Sequence, residues 1–408
     1  MSKYNYRDRR NKIYSQCQSP CVLIIGSWLE QKLNADVEYP YKQDPNMIYF
    51  TGLEEQDLTF VAEIDEKSIK ETLFMNSRDL QKEVWVGKTL DFNEACDISG
   101  INNIKSNSEI SDTVMKMNKT LVLHHLGNSD MIASFDKKKK GTELLESIRC
   151  VKDEDDIEKL KSSCLLSCYG HINAMRMTKP DMNEYYIDGV LMGYLRSRGC
   201  QRLAYPNVIA SGDNANVLHY MKNNAQMNGG DLLLVDSGGE LNNYASDITR
   251  TWPVNGKYNN AQKEIYNLVL KAQKACINKT RPGISIMELD DISRNIITEG
   301  LLDLKILKDS KDKKKFYPHS IGHWMGIDVH DCSSVDRNKP LVEGNVFTIE
   351  PGIYIKKSDD VPEQYKGIGV RIEDDILVTK DGYENLTRFA PREISDIEAL
   401  VGSYWKNK

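Results

Sequence analysis

The sequence predicts an α/β (α+β) fold in two parts. A mixed α/β domain covers residues 1–150, and a domain built from two helix–helix–strand units covers 151–408. Three observations carry this reading. The short apolar runs CVLIIG and TFVAEI read as buried strands and alternate with polar, helix-like stretches. The segment RCVKDEDDIEKL opens a helix near residue 150, with its acids in the first turn, where the helix dipole favours them. Beyond that point the order helix, helix, strands occurs twice.

Within the first part, the run Lys137 to Lys140 before Gly141 reads as a solvated loop. The first helix of the second part runs from about Asp153 through Ile157, Leu160 and Cys164, and stops before Pro180. The next carries Ile187, Val190, Leu191, Tyr194 and Leu195, an i, i+3, i+4, i+7, i+8 stripe, and ends by Gly199. Strands follow, including the stretch DLLLVDSGGELNNYASDITRTWPV. A third helix carries Ile265, Leu268, Val269 and Ala272 and ends before RPG. The fourth opens at Ser285, with Glu288 three residues on as a capping box requires. KDSKDKKKFY then reads as an exposed loop, and NVFTIEPGIYI and GVRIEDDILVT as the closing strands.

Of the 408 residues, 40% are hydrophobic and 28% charged, an ordinary globular balance with ample material for a core. A net charge of −6 gives no reason to expect nucleic acid or an anionic membrane as partner. No apolar run approaches the roughly 18 residues of a membrane span. The opening MSKYNYRDRRNKIYSQ lacks the apolar core of a secretory signal. Nine cysteines without framework spacing fit a reducing compartment, so a cytoplasmic location is expected. Cys164 and Cys168, four apart on a helix, are read as core packing and not as a metal pair.

The chemistry lies in acids placed against strand formers. Asp236 ends the run Leu232 to Val235, and Asp247 sits between Ser246 and Ile248, eleven residues later. The second unit supplies Glu350 at the end of VFTIE and Glu373 inside VRIEDDILV. Aspartate is depleted in strands, and a lone strand acid ordinarily faces solvent. Here the pattern occurs in both units. The turn-prone SGGELNN allows antiparallel pairing to bring Asp236 and Asp247 to one face. Buried together, four carboxylates would repel one another unless cations held them. Between the pairs lies HSIGHWMGIDVHD, with His319, His323 and His330. Oxygen-rich ligands with one imidazole suit Mn2+, Co2+, Fe2+ or Zn2+, and two such ions about 3.5–4 Å apart activate water between them. Rival chemistries lack their motifs: there is no G-x-S-x-G, no phosphate-binding G-x-x-x-x-G-K-[ST] and no H-E-x-x-H.

These residues resemble the pita-bread metallopeptidases, and within them the Xaa-Pro aminopeptidases (aminopeptidase P), over nearly the whole chain. The resemblance implies a pita-bread catalytic domain at 151–408 behind an aminopeptidase P-type N-terminal domain. It implies five ligands for two divalent ions, Mn2+ first among them: Asp236, Asp247, His323, Glu350 and Glu373. YPNVIASGDNANVLHY resembles the stretch that supplies a catalytic-site histidine, here His219, and a pocket tyrosine, here Tyr205. His330 resembles the second such histidine, and Arg371 the arginine beside the last ligand. ADVEYPYKQDPNMIYFTG is similar to a signature of the N-terminal domain. In that family an aspartate and a tryptophan of this domain reach a neighbouring subunit's active site; Asp36 and Trp85 match here, so a homo-oligomer is expected.

The activity so implied is hydrolysis of the bond between a first residue and a proline at position two of a peptide. Glu350 would accept the proton of the attacking water, and His219 and His330 would hydrogen-bond the substrate and the tetrahedral species. Tyr205, His319 and Arg371 would line the pocket for the proline ring. Two other readings stay open: an Xaa-Pro dipeptidase (prolidase) with the same ligands, and a pita-bread protein that binds peptides without cleaving them. Trp324 and YPYKQD lean toward the aminopeptidase, and the presence of all five ligands leans away from the non-catalytic protein.

Overall fold

The computed structural model describes residues 6–117, 120–123 and 138–406; the first five residues of the opening stretch and Lys137 lie outside it. The chain divides into two units, with the boundary between Arg149 and Cys150.

The N-terminal unit begins with α1 (Tyr6–Tyr14), β1 (Cys21–Gly26), α2 (Pro45–Thr51), β2 (Thr59–Ile64) and β3 (Ile69–Met75). It continues with α3 (Leu80–Val86), α4 (Phe92–Ser99), β4 (Ile104–Ser106), α5 (Ile110–Met115), β5 (Thr120–Leu123), β6 (Lys138–Lys140) and α6 (Thr142–Arg149). The strands form one six-stranded sheet in the order β4-β3-β2-β1-β5-β6. It is mixed: β1 runs antiparallel to β2 and parallel to β5. The runs CVLIIG and TFVAEI are β1 and β2 to the residue, and β1 is buried throughout, as its continuous apolar run demands. The lysine run is not a loop. Lys138–Lys140 pairs in parallel with β5 as the outermost strand. On α1, the fully buried Arg10 is satisfied by Glu71 (2.8 and 3.1 Å) and by the carbonyls of Phe50 and Ser99.

The second unit repeats its plan. The first half holds α7 (Glu154–Met177), α8 (Glu184–Arg196), β7 (Arg202–Leu203), β8 (Val208–Ser211), β9 (Leu232–Asp236), β10 (Gly239–Leu241), β11 (Tyr244–Ala245) and β12 (Thr249–Pro253). The second half holds α9 (Asn260–Lys279), α10 (Ile286–Asp303), β13 (Val346–Ile349), β14 (Gly352–Ile355), β15 (Ile368–Arg371), β16 (Asp374–Thr379) and β17 (Gly382–Asn385). Capping boxes start three of the four helices: Asp153/Asp156 on α7, Asn259/Gln262 on α9 and Ser285/Glu288 on α10. The main core joins both halves, packing Leu191, Leu233 and Trp252 with Ile265, Val269, Ile353 and Val370. Cys164 and Cys168 are fully buried. In KDSKDKKKFY the charged residues are exposed around a short 3-10 turn, but Phe316 and Tyr317 are buried, which the charge of the stretch concealed.

Candidate metal centre

The four acids were expected against strand formers, Asp236 and Glu350 at the ends of their runs and Asp247 and Glu373 within theirs. The structure places them at strand ends and in the breaks between strands. Asp236 closes β9; Asp247 lies in the return segment before β12; Glu350 follows β13; Glu373 stands between β15 and β16. The reason is geometric. Inside a strand, successive side chains alternate faces, whereas at strand ends the chain turns and carboxylates from different sheets can converge. β9 and β12 pair with Asp236 opposite Thr249. Between them the chain makes the small excursion β10–β11, turning at Asn242 and Asn243 with φ of 53° and 65°. Glu373 is held by its amide donating to the Thr249 carbonyl (3.0 Å) and by Thr249 Oγ1 donating to its Oε2 (2.6 Å).

His323 reaches the acids through a close backbone approach. Thr348 N donates to the His323 carbonyl (2.9 Å), and Glu350 N to the Ile321 carbonyl (2.8 Å), so residues 321–323 lie along β13. A Cβ at the intervening Gly322 would sit 1.9 Å from the Thr348 carbonyl oxygen, so only glycine fits. From Asp290 and Arg294, neighbours on one face of α10, the preceding segment is pinned: Arg294 donates to the carbonyls of Tyr317 (2.9 Å) and His319 (2.6 Å), and Ile321 N donates to Asp290 (2.8 Å).

Asp247, His323 and Glu373 each offer a ligand atom within 4.8 Å of the others. His323 Nε2 stands 3.3 Å from Asp247 Oδ2 and 3.8 Å from Glu350 Oε1. His323 Nδ1 lies 3.1 Å from the Trp324 carbonyl. With Nδ1 as the donor of that bond, Nε2 is the nitrogen left to coordinate once its proton is displaced, the arrangement usual for a metal-bound histidine. Tyr205 Oη lies 2.6 Å from Asp236 Oδ1 and equally 2.6 Å from Asp247 Oδ1. One hydroxyl proton cannot serve two carboxylate oxygens, so this cluster is short of positive charge.

The titration behaviour has the same origin. Burial and then Asp247 and Glu350 push the Glu373 carboxyl well above the usual range. Burial lifts Glu350 to about 7 against the pull of His323 and Arg371. Asp236 is raised by burial, against Arg371. Burial disfavours a charged His323, but Asp247 and Glu350 outweigh it and hold the ring up at about 9. Ionising these carboxyls together is therefore costly, a cost that a cation between them would offset. Four oxygen donors and one imidazole nitrogen fit a hard or borderline divalent ion.

The remaining predicted residues are distributed as follows. Arg371 is buried, but its ion pair is with Asp236 (Nη2 to Oδ2, 2.6 Å), the acid of the opposite half, and not with Glu373 beside it in sequence. Its Nη1 donates to Tyr354 Oη (3.0 Å), and Tyr354 Oη lies 2.8 Å from His319 Nε2. Burial and then Arg371 depress His319 to about 3, so it is a neutral ring. The Tyr205 hydroxyl, expected in a substrate pocket, is engaged by the two aspartates. His330 packs edge-on to His323 with ring centroids 4.2 Å apart; burial and then His323 lower its pKa. His219 is exposed. Asp36 and Trp85 lie exposed in the N-terminal unit, Trp85 on α3. Trp324 is a core side chain, its Nε1 donating to the Val335 carbonyl.

Sequence reasoning missed Tyr354, although it follows Glu350 by four residues. It also missed Asp375, whose Oδ2 accepts the Asp247 amide (3.0 Å). Burial and then Asp247 raise that carboxyl well above the usual range. Its neighbour Asp374 is instead held low by Arg250 and Arg392, which overcome the cost of burial.

Two helix–helix–strand halves that converge such donors from their strand ends define a divalent-metal centre of the hydrolytic kind. The chain belongs to metallopeptidase family M24, whose sequence pattern matches residues 158–380, and residues 6–123 match the aminopeptidase P N-terminal domain. It is 38% identical to the Xaa-Pro aminopeptidase of Haemophilus influenzae and 35% identical to that of Escherichia coli, covering 98% of this chain and 98% of each relative. A solved structure of a variant of Escherichia coli aminopeptidase P superposes with a TM-score of 0.93 at 33% identity, covering 100% of this chain and 99% of that one.

Proposed function

We propose that this protein is a metal-dependent exopeptidase that hydrolyses the bond before a proline at position two and releases the first amino acid. The observation that carries the reading is the convergence of Asp236, Asp247, His323, Glu350 and Glu373 at one buried place, in a chain that matches its relatives end to end. These five residues would hold two divalent ions, Mn2+ by choice, which would supply Lewis-acid polarisation of the scissile carbonyl and activation of water.

The chain's own groups do the rest. Glu350 accepts a proton from the attacking water and returns it to the proline nitrogen, which has no hydrogen of its own. His219 and His330 donate to the carbonyl oxygen as charge develops on it. Arg371 and Tyr205 hold Asp236 and Asp247 in place, and Arg371, through Tyr354, fixes the His319 ring beside Glu350 (3.6 Å). A homo-oligomer is supported by α3, where Leu80, Val84, Trp85 and Val86 are 61–88% exposed on one short helix, an apolar surface suited to cover by a second copy. Nine cysteines without the spacing of a disulfide framework support a reducing, cytoplasmic setting. Among the described residues no helix is long and apolar enough to cross a membrane.

The test is release of the first residue from matched Xaa-Pro dipeptides, Xaa-Pro-Yaa tripeptides and pentapeptides with added Mn2+, beside peptides with alanine for proline. The tripeptides and pentapeptides are cleaved at least as well as the dipeptides, and alanine lowers kcat/KM. Activity confined to dipeptides would make the protein a dipeptidase; no release from any would leave a binding protein.

A further inference from the structure

The loop that carries His219 is organised by a single buried acid. Glu184, the first residue of α8, is fully buried. Its Oε1 accepts from Ser211 N (2.7 Å), Ser211 Oγ (2.7 Å) and Asn214 Nδ2 (3.2 Å); its Oε2 accepts from Ala225 N (2.8 Å) and Tyr220 Oη (3.0 Å). All five donors are neutral, and all lie between residues 211 and 225. The backbone ties the same two segments: Glu184 N donates to the Ala225 carbonyl (2.9 Å), and Asn183 Nδ2 to the Asn224 carbonyl (2.8 Å). Leu218 and Tyr220, on either side of His219, pack against Val208, Ala215, Leu234 and Tyr354. His219 itself is left exposed between two anchored neighbours.

We infer that Glu184 is a positioning residue for the peptidase reaction: by holding Ser211, Tyr220 and Ala225 at once, it fixes the loop that presents His219 to the substrate. This rests on the proposed exopeptidase activity. Each oxygen accepts at least two hydrogen bonds, so an amide at this position must set an N–H against donors whichever way it is turned. The loop then shifts while α8 and the metal ligands stay in place. A catalytic group misplaced by about 1 Å can lose roughly 100-fold in rate.

The experiment is a double-mutant cycle in kcat on an Xaa-Pro-Yaa tripeptide, with wild type, Glu184→Gln, His219→Ala and the double variant assayed together and their bound metal measured. Glu184→Gln lowers kcat about 10–100-fold with KM little changed and metal content equal to wild type. The double variant is no slower than His219→Ala alone, because the loop then has nothing left to position. If the two losses multiply, or Glu184→Gln turns over at the wild-type rate, the inference is overturned; a wild-type rate in His219→Ala overturns it as well. An inactive wild type would instead strike at the proposed activity. Should Glu184→Gln fail to fold, Tyr220→Phe removes one donor and leaves α8 intact. A smaller fall in kcat that vanishes in the His219→Ala background supports the inference, and multiplying losses refute it.

Discussion

The two helix–helix–strand halves of the second unit share a plan but divide the chemistry. The first half contributes short acids, Asp236 and Asp247, and the loop with His219. The second contributes the longer Glu350 and Glu373, all the other site histidines, and two groups that join the first half's own Tyr205 in steadying its acids. Arg371 reaches across to Asp236, and Asp375 accepts the amide of Asp247. Neither half alone holds a ligand set whose charges are matched. The comparison teaches that the centre is an interface property: the fold repeats, whereas the charges complement.

Removing a ligand from either half should have the largest effect. Asp247→Ala and Glu373→Ala each abolish turnover and lower bound metal while the far-UV circular dichroism stays native. Undiminished activity in a metal-depleted ligand variant would contradict the metal assignment. Next comes Asp374→Asn. It breaks the buried ion pair that Arg250 makes to it from the first half (2.6 Å) and a second pair to Arg392 (2.7 Å), and should cost about 3–5 kcal/mol of stability in urea unfolding. His219→Ala should lower kcat on the order of 100–1,000-fold with a smaller effect on KM, as for loss of one oxyanion donor. A wild-type rate would make this histidine a bystander of the first half.

The fourth prediction concerns pH. His171 on α7 is buried, with Nε2 2.9 Å from the Ser237 carbonyl and Nδ1 without a hydrogen-bond partner among the described residues, and burial pushes its pKa down to about 4. The unfolded chain takes up this proton near pH 6.5. The contribution to stability is therefore complete above pH 6.5 and lost progressively as pH falls toward 4, on the order of 3 kcal/mol in all. Unfolding free energies across that window should fall less steeply in His171→Gln. An unchanged slope would show that this ring is not the group responsible. The smallest effect is expected from Asp375→Asn. That carboxyl is already raised by burial and Asp247, and the amide oxygen can still accept the Asp247 N–H, so stability should change by no more than about 1 kcal/mol. A loss as large as that of Asp374→Asn would mean that the two neighbours do not differ in charge.

What could be read in advance follows the range of the forces involved. Apolar periodicity and capping chemistry act within a few residues, so β1, β2, the four helices of the repeated plan and the Ser285/Glu288 box were legible from their own segments. So were the four acids, because an acid beside a run of strand formers is conspicuous wherever it falls; that His323 joins them, and not His319 or His330, was implied only by the family resemblance. The rest depended on partners distant in sequence. Lys138–Lys140 is a strand because β5 lends it an edge, and nothing in four lysines says so. Arg371 chose Asp236 over the adjacent Glu373, Tyr205 lay against two aspartates, and Asp374 and Asp375, side by side, acquired opposite pKa shifts. The sequence by itself determined which acids could bind metal and, the lysine strand apart, which of the segments named above would be helix or strand. Only the tertiary structure decided which charges meet, because burial strengthens electrostatic pairing and penalises any charge left without a partner, and which groups share a buried space depends on the packing of both halves.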